Sequence, residues 1–171
     1  MAFRRRRTKP PPSPEAAPGP AAAASPPPAQ IDALTETEVR WVETQLAAAV
    51  DLAQTYTGTS EPLPSLDRLA ATLRAWRSRP EPRDPDVNAV INALGIAFGE
   101  HLRRSTGLAW VIAADDQGTD LALHGQPGDI LIYPANATAK RVVAGEDDFF
   151  GYLHASMCDT VAAMQAANRR G

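Results

Sequence analysis

The stretch that decides the fold runs from Asp84 to Arg141: DPDVNAVINALGIAFGEHLRRSTGLAWVIAADDQGTDLALHGQPGDILIYPANATAKR. Asp84-Pro85 is a helix start signal, because aspartate caps free backbone amides and proline sits where its missing amide costs nothing. Val87, Val90, Ile91, Leu94, Phe98 and Leu102 then recur at steps of three and four, and Gly107 supplies a C-terminal stop. Leu108 to Ala114 is apolar at nearly every position, as expected of a strand covered on both faces. Asp115 to Gly118 is turn chemistry, Thr119 to His124 alternates loosely, and Gly125 to Gly128 makes a second turn. Ile130 to Tyr133 reads as a third strand closed by Pro134. Two short connections in succession imply an antiparallel meander, since parallel pairing needs a long crossover. Ala135 to Val143 is open between a fourth strand and a helical turn.

Upstream, Thr35 with Glu38 has the pattern of a capping box. It opens a helix whose apolar stripe is Val39, Val42, Leu46, Val50 and Ala53, ended by Gly58 and the prolines that follow. A second helix starts near Ser65, with Leu66, Leu69, Leu73 and Trp76 on one face, and stops at Pro80. Downstream, a last helix from about Asp147 to 168 carries Phe150, Leu153, Met157, Val161 and Met164.

These elements define an α+β fold: a small antiparallel sheet of three or four strands packed against helices, the third and last among them. The expected organisation is one domain over residues 31–171, helical from 31 to 80, with the helix-plus-sheet core at 84–142 and the C-terminal helix at 147–168. Residues 1–30 read as a disordered tail. Nine of the sixteen prolines fall there, and large apolar side chains are almost absent. Such a segment cannot offset roughly 1–2 kcal/mol of backbone entropy per ordered residue. Arg4, Arg5, Arg6, Arg7 and Lys9 against Glu15 give the tail a net charge of +4, so a chain of net −3 leaves −7 for the remainder. An acidic body argues against a nucleic-acid-binding domain. The arginine run supports only weak, salt-sensitive contact with nucleic acid or anionic lipid.

Cys158 is the single cysteine, so neither an intrachain disulfide nor a cysteine zinc site can form. No apolar stretch approaches the roughly twenty residues of a membrane span, and proline follows the N-terminal arginines where a signal peptide needs an apolar segment. A cytoplasmic location is the expectation.

Residues ALGIAFGEH at 93–101, then GLAWVI, DLALHG and ILIYPANATAKRV, resemble the bacterial domain of unknown function DUF3806. The positions that carry the resemblance are Gly95, Gly99, Glu100, Trp110, Leu121, Pro134, Lys140 and Arg141, about a third of the chain. It implies a small cytoplasmic α+β domain and no chemistry.

The candidate functional residues are His101, Trp110, Asp120, His124, Lys140 and Arg141, and no catalytic role is assigned among them. His101 is placed with the apolar stripe, facing the strands, where it is either a general base or a hydrogen-bonded core histidine; the second reading is favoured. Glu100 points the other way, toward a surface ion pair with Arg103 and Arg104. Trp110 reads as core. Lys140 and Arg141 could contact an anionic partner or simply be solvated. The three histidines lack metal-ligand spacing, no nucleophile elbow is present, and Cys158 sits mid-helix. No metal and no cofactor are expected. Gly95, Gly99 and Pro134 are structural candidates; the two glycines, one turn apart, suggest a backbone passing closely. The functional expectation is a non-enzymatic binding or interaction module with a protein partner. The alternative is a small hydrolase or transferase built from His101, Asp120, His124 and Lys140.

Overall fold

A computed structural model describes residues 29–81, 83–115, 118–127 and 130–169. The expected tail therefore lies outside the described residues as far as position 28. The chain enters in a strand, β1 (Gln30–Ala33), where the sequence reading ends the tail and begins a helical part. Gln-Ile-Asp-Ala alternates polar and apolar over four residues only, too short a run to mark a strand by itself, and its pairing partner lies about eighty positions downstream.

Eight further elements follow: α1 (Glu36–Thr57), α2 (Leu66–Arg77), α3 (Val87–Thr106), β2 (Ala109–Asp115), β3 (Gly118–Gly125), β4 (Ile130–Ile132), α4 (Pro134–Val143) and α5 (Phe150–Asn168). The strands form one antiparallel sheet in the order β1-β2-β3-β4. Ile31 faces Ala113, Trp110 faces Leu123, and Leu123 faces Ile132 across the ladders. The class is α+β, as expected.

Helix ends follow local chemistry. Thr35 and Glu38 form the capping box: the Glu38 amide donates to Thr35 Oγ1 at 3.4 Å and the Thr35 amide to Glu38 Oε2 at 2.6 Å. Gly58 and Gly107 cap α1 and α3 at φ 71° and 75°, a backbone conformation that glycine adopts freely. The start of α3 differs from expectation. Asp86, not Asp84, is the cap, its Oδ1 accepting from the Ala89 amide at 2.9 Å. The Asp84–Pro85 peptide is cis and lies ahead of the helix. Its carbonyls accept from Tyr56 Oη at 3.0 Å and Trp76 Nε1 at 2.9 Å, tying this turn to the ends of α1 and α2.

The segment left open between strand and helix is α4. Pro134 occupies its first turn rather than closing β4, a place where a missing amide is harmless. The last helix begins at Phe150, three residues after Asp147. Helix α3 is the hub, packed against α1, α2, α4 and α5. Phe98, Leu94 and Leu102 are fully buried against Leu69 and Leu73 of α2 and Leu123 of the sheet. Phe98 and Phe150 meet edge to face with centroids 5.7 Å apart. Val39, Val87 and Met164, expected on apolar stripes, are each about 40% exposed; all three lie toward helix ends, past the elements that cover the middles.

Helix α4 crosses α3 at the two glycines, both buried. A Cβ added to Gly95 would lie 2.8 Å from Ala135 Cα. One added to Gly99 would lie 2.7 Å from Trp110 Cζ2 and 2.9 Å from Pro134 Cγ. The neighbour that passes closely is α4, together with the first large side chain of β2.

Candidate functional site

Helix α5 packs on α3 and α2, and a gap separates it from the sheet edge. This differs from the expectation that the last helix would lie on the sheet. Phe150 and Val161 are its only buried residues, so Leu153 and Met157 are half-covered. Between α5, β4 and α4 the gap opens into a cleft of about 730 Å³. Leu131 and Ile132 of β4 form one wall, Leu153 and Met157 of α5 the other, and Lys140 and Arg141 of α4 the rim. A second hollow of about 250 Å³ shares Leu131, Ile132 and Met157 and continues past Ile130 to Val161 and Met164. The two make one groove along the sheet edge.

The rim is electrostatically uneven. Arg141 Nη1 donates to Glu146 Oε1 at 3.1 Å, and Tyr152 Oη donates to Glu146 Oε2 at 2.6 Å. The Arg141 guanidinium also lies 6.0 Å from the centre of the Tyr152 ring. The Tyr152 hydroxyl and then Arg141 hold the Glu146 carboxyl below its usual range, and the Glu146 hydrogen bond raises Arg141 in return. Lys140 is exposed and makes no hydrogen bond or ion pair among the described residues. It is a cation aimed at no internal partner.

His101 and Glu100 exchange the sides expected of them. Glu100 is 6% exposed and lies on the sheet side, beneath Trp110. It accepts from Arg103 Nε at 2.7 Å, Arg103 Nη2 at 2.9 Å, Arg104 Nε at 2.9 Å and Trp110 Nε1 at 3.5 Å. The Arg103 hydrogen bond outweighs the opposing effect of burial, and with Arg104 it holds the carboxyl at about 2. Trp110 is half-buried across Gly99 and Glu100 rather than enclosed in the core. His101 looks away from the strands. Its Nε2 donates to the Pro64 carbonyl at 2.9 Å, and its ring stands edge-on to His154, centroids 6.4 Å apart. Burial pushes its pKa below the usual histidine value. The reversal has a plain cause: α3 is covered all round from Val90 to Glu100, so apolar residues there do not mark a single inner face.

One cluster escaped the sequence reading. His154 Nε2 lies 3.1 Å from Ser105 Oγ and 3.6 Å from Cys158 Sγ. The four-residue spacing of His154 and Cys158 on α5 was the available signal. Burial raises the Cys158 thiol pKa, the opposite of an activated nucleophile. No group of three or more metal-ligating side chains occurs among the described residues.

The remaining candidates are spread out. Asp120 accepts from Asn136 Nδ2 at 2.8 Å and lines a separate hollow with Trp41 and Ile112. His124 sits four positions along β3, about 13 Å away at strand spacing, and faces Leu131. Lys140 belongs to the groove, and Asp120 does not. His101 lies between Pro64, ahead of α2, and His154 of α5.

No described helix is long and apolar enough to cross a membrane. No curated protein matches this chain. A crystal structure from Bacteroides thetaiotaomicron is similar in fold, with a TM-score of 0.64 at 15% identity. The alignment covers 82% of this chain and 51% of that one, so the chain spans about half the length of that structure. At this identity the likeness concerns the fold alone. In sequence, residues 70–149, from α2 to the residue before α5, match the family model described as Domain of unknown function (DUF3806), the family that the glycine-bearing helix, the tryptophan-led strand and the Lys140-Arg141 pair resemble.

Proposed function

We propose that this chain is a cytoplasmic, non-enzymatic binding module for a protein partner, and that the groove between β4, α4 and α5 is its binding site. The observation that carries the reading is the combination of half-covered Leu131, Ile132, Leu153 and Met157 with a cation, Lys140, that has no partner among the described residues. A concave apolar surface with few polar groups at its rim is the usual form of a recognition site. The hydrolase or transferase alternative needs His101, Asp120, His124 and Lys140 to converge, and none of the three hollows that one of them lines contains a second.

The test is site-specific photo-crosslinking in the native cell. A photoreactive residue replaces Met157 in the groove or, as a control, Asp51 on the exposed face of α1. A discrete protein adduct from position 157 that is absent from position 51 is expected. It should vanish in the Leu131→Asp background while that variant keeps its thermal transition. Identical adducts from both positions would remove the groove from consideration.

A further inference from the structure

The groove has a wall that most apolar clefts lack, the open edge of a sheet. Strand β4 is the last in the order β1-β2-β3-β4 and, among the described residues, pairs only with β3. Its three consecutive residues Ile130, Leu131 and Ile132 all line the groove. Successive side chains of a strand point to opposite faces, so a surface formed by a sheet face would collect alternate residues. A run of consecutive residues means that the groove follows the strand's edge, where backbone N–H and C=O groups await a partner.

Opposite that edge runs the half-covered side of α5. From Leu153 to Met164 it extends eleven residues, about 16 Å at helical rise, which is the length of about five residues of extended chain. We infer that the groove takes an extended peptide segment of a partner protein, added to β4 as a fifth strand, with apolar side chains against α5 and an acidic side chain against Lys140. This deepens the binding reading given above and rests on it.

Charge complementarity selects the occupant. Glu146 is occupied by Arg141 and Tyr152, so the open charged position at the rim, among the described residues, is cationic. The chain's own first 28 residues suit the groove poorly. Nine prolines there lack the amide that strand addition requires, and the Arg4–Arg7 run has the same sign as Lys140. Main-chain pairing would supply affinity and the side-chain pockets selectivity, as in other cases of strand addition.

The experiment uses the full chain and pools of acetylated, amidated pentapeptides. Val, Leu, Ile or Phe fill the central positions, and Glu stands first or last. Binding is read by fluorescence anisotropy and by amide shifts of Ile130, Leu131 and Ile132. We expect the best Glu peptide to bind at least tenfold more tightly than its Gln counterpart. Lys140→Glu should reverse that preference toward the Lys counterpart, and N-methylation of alternate peptide amides should abolish binding in one of the two registers. Equal binding of Glu, Gln and N-methylated peptides would overturn the inference in favour of unspecific apolar contact. So would a concentration-dependent dimer with its β4 amides protected, because a second copy would then hold the edge. If position 157 still captures a partner while no peptide binds, strand addition fails and the binding reading stands.

Discussion

Helices α3 and α5 are nearly equal in length, 20 and 19 residues, yet eleven residues of α3 are buried and only two of α5. The difference lies in their neighbours. Four helices surround α3, and it admits α4 only through two missing side chains at Gly95 and Gly99. Helix α5 leans on α3 and α2 with one side and turns Leu153, Met157 and Met164 toward a gap. Apolar content alone therefore does not decide burial. The surplus apolar surface of α5 is the material from which the groove is made.

If this contrast is right, substitutions on α3 should cost stability and those along the outer side of α5 should not. The largest effect is expected for Phe98→Ala, which empties the fully buried contact with Phe150 and should lower the unfolding free energy by about 3–5 kcal/mol. A loss below about 1 kcal/mol in urea denaturation would mean that the hub is loosely packed.

Glu100 comes next. Its carboxyl titrates at about 2 in the fold against 4.5 without its partners, so it contributes stability at neutral pH that is lost as pH falls from 4.5 through 2. The shift corresponds to at most about 3 kcal/mol. Glu100→Gln should show a lower midpoint at pH 7 and a flatter acid limb. Parallel acid titrations of the two proteins would contradict a buried, doubly paired carboxylate.

Gly95→Ala and Gly99→Ala are each expected to lower stability by about 1–2 kcal/mol, overpacking outweighing the roughly 1 kcal/mol that alanine gains as a helix former. A raised denaturation midpoint for both would place α4 farther from α3 than described. The smallest effect belongs to the open side: Met164→Ser should stay within about 0.5 kcal/mol of the parent. A larger loss would show that α5 is covered there after all.

What could be read in the sequence was what local chemistry determines. The capping box at Thr35, the glycine stops at 58 and 107 and the meander of β2, β3 and β4 each depend on a few adjacent residues. β1 depends on a partner eighty residues away, and the alternation of QIDA is too short to mark a strand without it. Residues 135–143 mix small and charged side chains that suit strand or helix, and packing of Ala135 on Gly95 belongs to the helical outcome. The exchanged orientations of Glu100 and His101 were hidden because the middle of α3, from Val90 to Glu100, has no exposed side against which to define a face. Lys140 and Arg141 were visible as a pair, but not that Glu146 engages one and leaves the other. The groove itself has no sequence signature, because it is a space left by where α5 settles.

The joint between α4 and the glycine pair also acts as a gauge for that space. Ala135 rests against Gly95 with no room for a methyl group, and Lys140 stands five residues further along the same ten-residue helix, about 7.5 Å away. A helix this short behaves as a stiff pointer. Pro134, Thr138 and Val142 keep one side of it buried along its whole length, so a shift at Ala135 carries Lys140 with it, toward or away from β4. The spacing between the rim cation and the strand edge is thus calibrated by two hydrogens on the far side of the helix.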